Sequence, residues 1–202
     1  MGVSAPLERP DAPGGGHGPD TVAASAVFER RVLEDAAEPF GGLVYVHAPI
    51  GAPFSFDALA RRDDGRDRWG TSGQRTVDLA GDPGVALAEY ARRREPGAPA
   101  DERRIVRLRL RAVTVVDLRR GSVAVALGLP SGARHLADRA VARRVARTVR
   151  EADVCEGMIV PSMAFLERAD RFNVVLFCER LGADLERILC DPEEVGRVRL
   201  TT

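Results

Sequence analysis

Four side chains in this sequence have the type and setting for chemistry: Arg68, Trp69, Glu89 and Ser162. Arg68 and Trp69 stand together in "RDRWGTSGQ", where the Gly and Ser residues mark a loop. A guanidinium there can grip a phosphate through two parallel N–H donors while the indole covers an aromatic base; the competing reading is a surface arginine next to a core tryptophan. Glu89 lies seven positions beyond Asp82 in "DPGVALAEYARR", among Val85, Leu87, Ala88 and Ala91. A carboxylate on so apolar a flank is either a rim charge paired with Arg92 or Arg93 or a group aimed into a cleft. Ser162 follows Pro161 at the end of the apolar run "MIV", a strand tip from which a hydroxyl either faces a cleft or closes a turn.

Other chemistries lack their signatures. The sequence has no GxGxxG after a strand, no lysine phosphate loop, no HExxH and no GxSxG, which removes the usual marks of doubly wound dinucleotide folds, P-loop enzymes, zinc proteases and serine hydrolases. His17, His47 and His135 are far apart without metal-ligand spacing, so no metal site is expected. Thirty basic and thirty acidic residues cancel, leaving no electrostatic footprint for direct nucleic-acid binding. Cys155, Cys178 and Cys190 form no CxxC pair and lie in or beside apolar runs, as unpaired thiols of a reducing cytoplasm do. No apolar run approaches the roughly 20 residues of a membrane-spanning helix, and the N-terminus lacks the charged-then-apolar pattern of a secretion signal.

The elements that must position the four residues follow from periodicity. Residues 1–20, rich in Gly and Pro, read as a disordered leader, and residues 21–202 as one domain. A helix is expected from residue 21 until Pro39, Gly41 and Gly42 stop it, then a short strand over 43–47. Residues 76–80 read as a strand, and Asp82 with Pro83 as the N-cap and first position of a helix running to about residue 94. Beyond it, Val106, Leu108 and Leu110 alternate with Arg107, Arg109 and Arg111, a half-buried strand with an arginine face. Residues 133–153 read as one long helix, "GMIVPS" and "FNVVLFCE" as buried strands, 183–189 as a short helix and 195–200 as a last strand. Without a strict βαβ repeat, the expected class is α+β, a mixed and mostly antiparallel sheet with flanking helices.

Taken together, the motifs resemble the RES domain family, named for its Arg, Glu and Ser, over most of the chain from about residue 44 to residue 177. The family's "GRW", Gly turn, strand and "ALAE" correspond to "DRWGTSGQRTVDLAGDPGVALAE", which puts Arg68 and Glu89 on the matching positions. Its later "DG-apolar-PS", loop and "N-apolar-F" correspond to "EGMIVPSMAFLERADRFNVVLF", with Ser162 and Asn173 in place, and "VVDLR" ending at Asp117 corresponds to an internal strand. The resemblance implies an ADP-ribosyltransferase-like fold and cleavage of the nicotinamide–ribose bond of NAD by water or phosphate. NAD is then a substrate, and no prosthetic group is expected. It implies catalytic roles for Glu89, Arg68 and Ser162, and a nucleotide cleft lined by Arg68, Trp69, Tyr45, His47, Asp78 and Asn173. Many relatives are bacterial toxins that deplete cytoplasmic NAD and are silenced by a small helix-turn-helix antitoxin; self-association stays open.

The chain departs from the family in three places. Val46 stands where an Arg is expected, Asp78 where a Tyr is common, and Gly70 where an Asn often follows the Trp. An Asp facing a diphosphate repels it unless a cation intervenes, and a protonated His47 is one candidate replacement for the absent Arg. Three functions therefore stay open: NAD hydrolysis or phosphorolysis, ADP-ribosyl transfer to a macromolecule, and nucleotide or protein binding by a degenerate domain without turnover.

Overall fold

The computed structural model describes residues 19–62, 67–70, 73–130 and 132–201. The leader expected over 1–20 lies outside these residues except for its last two, which open the first helix. In chain order the elements are α1 (Pro19–Ala36), β1 (Ala37–Pro49), α2 (Phe56–Leu59), β2 (Arg61–Arg62), β3 (Arg75–Ala80), α3 (Pro83–Arg93) and β4 (Asp101–Asp117). There follow α4 (Gly121–Ala126), a 3₁₀ turn (Gly132–Ala137), α5 (Arg139–Ala152), β5 (Gly157–Pro161), β6 (Phe172–Phe177), a second 3₁₀ turn (Cys178–Arg180), α6 (Leu185–Ile188) and β7 (Leu189–Leu200).

The α+β class is observed, but the sheet is not open. Its order runs β1-β3-β6-β5-β4, and β4 returns to β1, so five strands close into a barrel, with β7 on the outer edge of β4 and β2 on β3. Only β4–β5 is parallel within the ring. Closure depends on the length of β4, which pairs with β1 along one edge and with β7 and then β5 along the other. Interior and exterior faces are both covered, which explains why β5 and, apart from Asn173, β6 are apolar instead of alternating. Val44, Val77, Leu79, Leu108, Val115, Ile159, Val174 and Leu176 fill the barrel. On its outer face Met158, Val160, Val175 and Phe177 pack with Val145, Val149 and Leu136 of α5 and the turn before it.

Two local expectations are corrected by tertiary context. Pro39, Gly41 and Gly42 do not separate helix from strand but lie inside β1, where the pairing with β4 shifts register between Phe40 and Gly42. Gly42 takes φ +136°, so the pair forms a bulge; Pro39 is tolerated because this end of β1 pairs only with β4. The single helix expected over 133–153 is two pieces. Asp138 accepts from the N–H groups of Ala140 (2.7 Å) and Val141 (3.1 Å), capping α5 and ending the turn before it.

Gly157 shows how tightly the ring is drawn. A Cβ there would lie 2.5 Å from the Val175 carbonyl oxygen, and Gly157 pairs with both Val115 and Leu176, so neither neighbour can retreat. Gly157→Ala is expected to destabilise the fold by about 1–3 kcal/mol, read as a lower urea midpoint; an unchanged midpoint would show the barrel to be softer than its geometry.

Candidate active site

β1 and β3 share one registered pair, Tyr45 with Ala80. Two residues further along each strand, His47 and Asp78 are no longer paired with each other, and a cleft of about 220 Å³ opens there. Tyr45, Val46 and His47 line it from β1, Asp78 and Ala80 from β3, Glu89, Tyr90 and Arg93 from α3, and Arg103 from β4. Arg68, Trp69, Met163 and Asn173 also line it. Eight positions expected from the sequence therefore converge: Arg68, Trp69, Tyr45, His47, Asp78, Glu89 and Asn173 on the cleft itself, and Ser162 immediately beneath Glu89.

Glu89 is placed by α3, whose start is fixed by Asp82 accepting from the Val85 N–H at 3.0 Å and by Pro83 in the first turn. One carboxylate oxygen, Oε1, accepts from Ser162 Oγ (2.8 Å), the Ala164 N–H (3.1 Å) and Asn173 Nδ2 (3.3 Å). The other, Oε2, accepts from Arg92 Nη2 at 3.1 Å and Nε at 3.3 Å. Both readings of Glu89 thus hold at once, since it pairs with Arg92 and also faces the cleft. It is 7% exposed and Ser162 is fully buried.

Burial by itself disfavours the Glu89 carboxylate, but the Ser162 hydroxyl, the Arg92 charge and the Ala164 N–H outweigh it and hold the pKa below its ordinary value. Glu89 is an anion at neutral pH. Because its pKa is lower folded than unfolded, its ionisation contributes stability that is complete above the ordinary value of 4.5 and lost as pH falls through the lower folded value. Unfolding free energy is therefore expected to fall more steeply for the wild type than for Glu89→Gln between about pH 5 and about pH 3. Urea midpoints across that range check it, and parallel slopes would refute it.

Arg68 is held from a different direction. Its Nη1 donates to the carbonyls of Leu136 (2.6 Å) and Ala137 (2.7 Å), which are available because Asp138 breaks the helix at that point. The loop around Arg68 is pinned on both sides. Asp67 accepts from Thr76 Oγ1 (2.6 Å) and the Trp69 N–H (3.2 Å), Arg143 donates to the Asp67 carbonyl, and Arg150 donates to that of Trp69. Burial and the charges of Arg92 and Arg139 pull the Arg68 pKa down, with Glu89 opposing them. Trp69 is 3% exposed and belongs to the outer core, so it has little surface to lay over a base; the core reading of the Trp is the better one.

The remaining expected residues occupy the wall. The His47 ring packs on Tyr90 with centroids 4.3 Å apart. Asp78 is not an isolated charge, because Arg93 Nη2 donates to it at 3.2 Å. Val46 is 5% exposed. Sequence reasoning missed Arg103, which packs over Tyr90 and donates to Asp101; its only signal was membership of the arginine face of β4. It took Arg93 for no more than a partner of Glu89.

The family model for the RES domain matches residues 23–195, a span that contains every cleft residue named above. The chain belongs to the RES domain family. Its fold is also found among solved structures. The RES chain aligns with a chain of the M. tuberculosis MbcT-MbcA toxin-antitoxin complex at TM-score 0.62, with 14% sequence identity, covering 88% of this chain and 92% of that one. At that identity the likeness is one of fold. Curated proteins give no match. No helix among the described residues is long and apolar enough to cross a membrane.

Proposed function

We propose that this RES domain degrades NAD by breaking the bond between the nicotinamide nitrogen and C1′ of its ribose. The observation that carries the reading is Glu89, a buried and ionised carboxylate on the wall of a cleft that also holds Arg68. As the glycosidic bond breaks, its electron pair goes to the nicotinamide nitrogen and neutralises the ring, while positive charge builds on the ribose. A fixed carboxylate favours that charge more than it favours the ground state, which is what lowers a barrier. Water or phosphate then adds at C1′; with water, a proton is released. Arg68 holds a phosphate of the substrate. Ser162 and Asn173 orient Glu89, and the Ser162 hydroxyl becomes available to the ribose or carboxamide when substrate enters.

The test is to incubate the protein with NAD, with and without inorganic phosphate, and to follow free nicotinamide against Glu89→Gln. Release that depends on Glu89 supports the reading, and a phosphate requirement makes the activity phosphorolysis. ADP-ribose attached to a protein or nucleic acid would mark a transferase.

A second reading, a degenerate domain that binds nucleotide or protein without turnover, is favoured by the buried aliphatic Val46 on the cleft wall. NAD binding without nicotinamide release would establish it. We further propose that the protein is the toxin of a cytoplasmic toxin-antitoxin pair with a small helix-turn-helix partner. Family membership and the toxin-antitoxin complex sharing its fold support this; growth arrest on expression, relieved by such a partner, tests it.

A further inference from the structure

Arg93 has no task in the mechanism above, yet it lines the same cleft. It ends α3 one turn beyond Glu89, with a side chain 38% exposed. Its Nη2 donates to Asp78, while Nε and Nη1 form no hydrogen bond to the protein among the described residues. Arg68 is in a similar state: Nη1 is taken by two carbonyls, and Nε and Nη2 form no hydrogen bond among the described residues. Arg103, the third guanidinium on the cleft, differs, since its Nε and Nη2 are committed to Asp101 and the Tyr90 hydroxyl.

Two guanidiniums with open donors thus reach one cleft from separate elements. The charge of Arg93 bears on Arg68, and that of Glu89 on both. Like charges so placed repel until an anion joins them, and a diphosphate offers one anionic group to each fork. Asp78 opposes such a ligand only if its charge is bare, and Arg93 has already paired it.

Resting on the NAD reading, we infer that Arg93 is a second phosphate ligand: Arg68 and Arg93 take the two phosphates of the dinucleotide, and Asp78 is the positioning residue that holds Arg93 to the cleft. Val46 lines the same cleft from β1, at the position where family resemblance expects a cation; here the cation comes from α3. Val46 is then no lesion.

The experiment compares NAD with nicotinamide riboside, which keeps the scissile bond and has no phosphate. Arg93→Gln is expected to raise KM for NAD roughly 10-fold or more, the usual effect of losing one charge-assisted contact, and to leave turnover of nicotinamide riboside within about twofold. Arg93→Lys should retain part of the affinity, because a point charge still binds phosphate. The melting temperature should fall only modestly, since the pair is 38% exposed at Arg93 although 19% at Asp78. An unchanged KM for NAD, equal losses on both substrates, or a large gain from Val46→Arg alone would each overturn the inference. If the wild type releases no nicotinamide, the catalytic reading fails by itself, and calorimetry with ADP-ribose decides. Binding that Arg93→Gln abolishes upholds the phosphate ligand; binding that it leaves intact, or no binding to the wild type, overturns it.

Discussion

Glu89→Gln is expected to lower nicotinamide release from NAD by roughly 10²–10³-fold, the loss typical of removing one preorganised electrostatic partner of a transition state. The argument rests on charge and not on shape. Gln keeps an oxygen to accept from Ser162 and the Ala164 N–H, but it carries no charge to meet the developing ribose cation. It also leaves Arg68, Arg92 and Arg93 around the cleft with one carboxylate fewer. Alanine is the poorer probe. It would leave Ser162 Oγ, Asn173 Nδ2 and the Arg92 guanidinium without the carboxylate they now share, and each unsatisfied buried group costs about 1–3 kcal/mol. Glu89→Ala should therefore lose stability as well as activity, whereas Glu89→Gln should separate the two. Nicotinamide release by Glu89→Gln within about twofold of wild type would remove Glu89 from the chemistry.

The largest stability loss is expected at Arg150, which is 3% exposed. It donates to the Trp69 carbonyl at 2.9 Å, approaches Glu179 at 2.9 Å, also donates to Gln74, and stacks on Phe177 at 4.3 Å. Arg150→Met keeps the length and removes every donor. Breaking a buried charge pair costs about 3–5 kcal/mol; Glu179 is 39% exposed and can rehydrate, so the low end applies. At roughly 2–4 °C per kcal/mol for a chain of this size, the melting temperature should fall by about 10 °C. Because Trp69 adjoins Arg68, KM for NAD should rise in the same variant at temperatures where it remains folded. A loss below about 1 kcal/mol would show that the loop is held by its other anchors, Asp67 and Arg143.

The candidate site was unusually legible in the sequence because its markers are local. Asp82 and Pro83 announce the start of α3 whatever lies around them, and Glu89 follows at a fixed helical distance. Ser162 and Asn173 sit at the ends of two apolar runs that can only be buried strands. The departures were visible too, but their meaning was not. Asp78 read as a charge hostile to phosphate until Arg93, fifteen residues on, was found pairing it. Arg103 was one arginine among five on β4, and nothing local separates the one beside the cleft from those facing solvent.

The elements misjudged share a cause. Pro39, Gly41 and Gly42 carry the composition of a break, yet β4 runs alongside and absorbs them as a bulge. Asp138 has the composition of a helix surface residue, yet its side chain caps α5 and frees the Leu136 and Ala137 carbonyls for Arg68. Each outcome depends on a partner distant in the chain, to which periodicity is blind.

The sequence by itself determined the α+β class, the α3 register that presents Glu89, the buried strands that carry Ser162 and Asn173, and the three motifs of the RES family, since each rests on spacing within a few turns or one strand. Only the tertiary structure decided that the sheet closes into a barrel, that β1 and β3 part at the cleft, and that Arg68 is anchored by the turn before α5. It also decided that Arg93 pairs Asp78. The reason is physical: closure, parting and pairing are fixed by which non-local groups can be satisfied together, and a linear pattern specifies each group's need without specifying the partner that meets it.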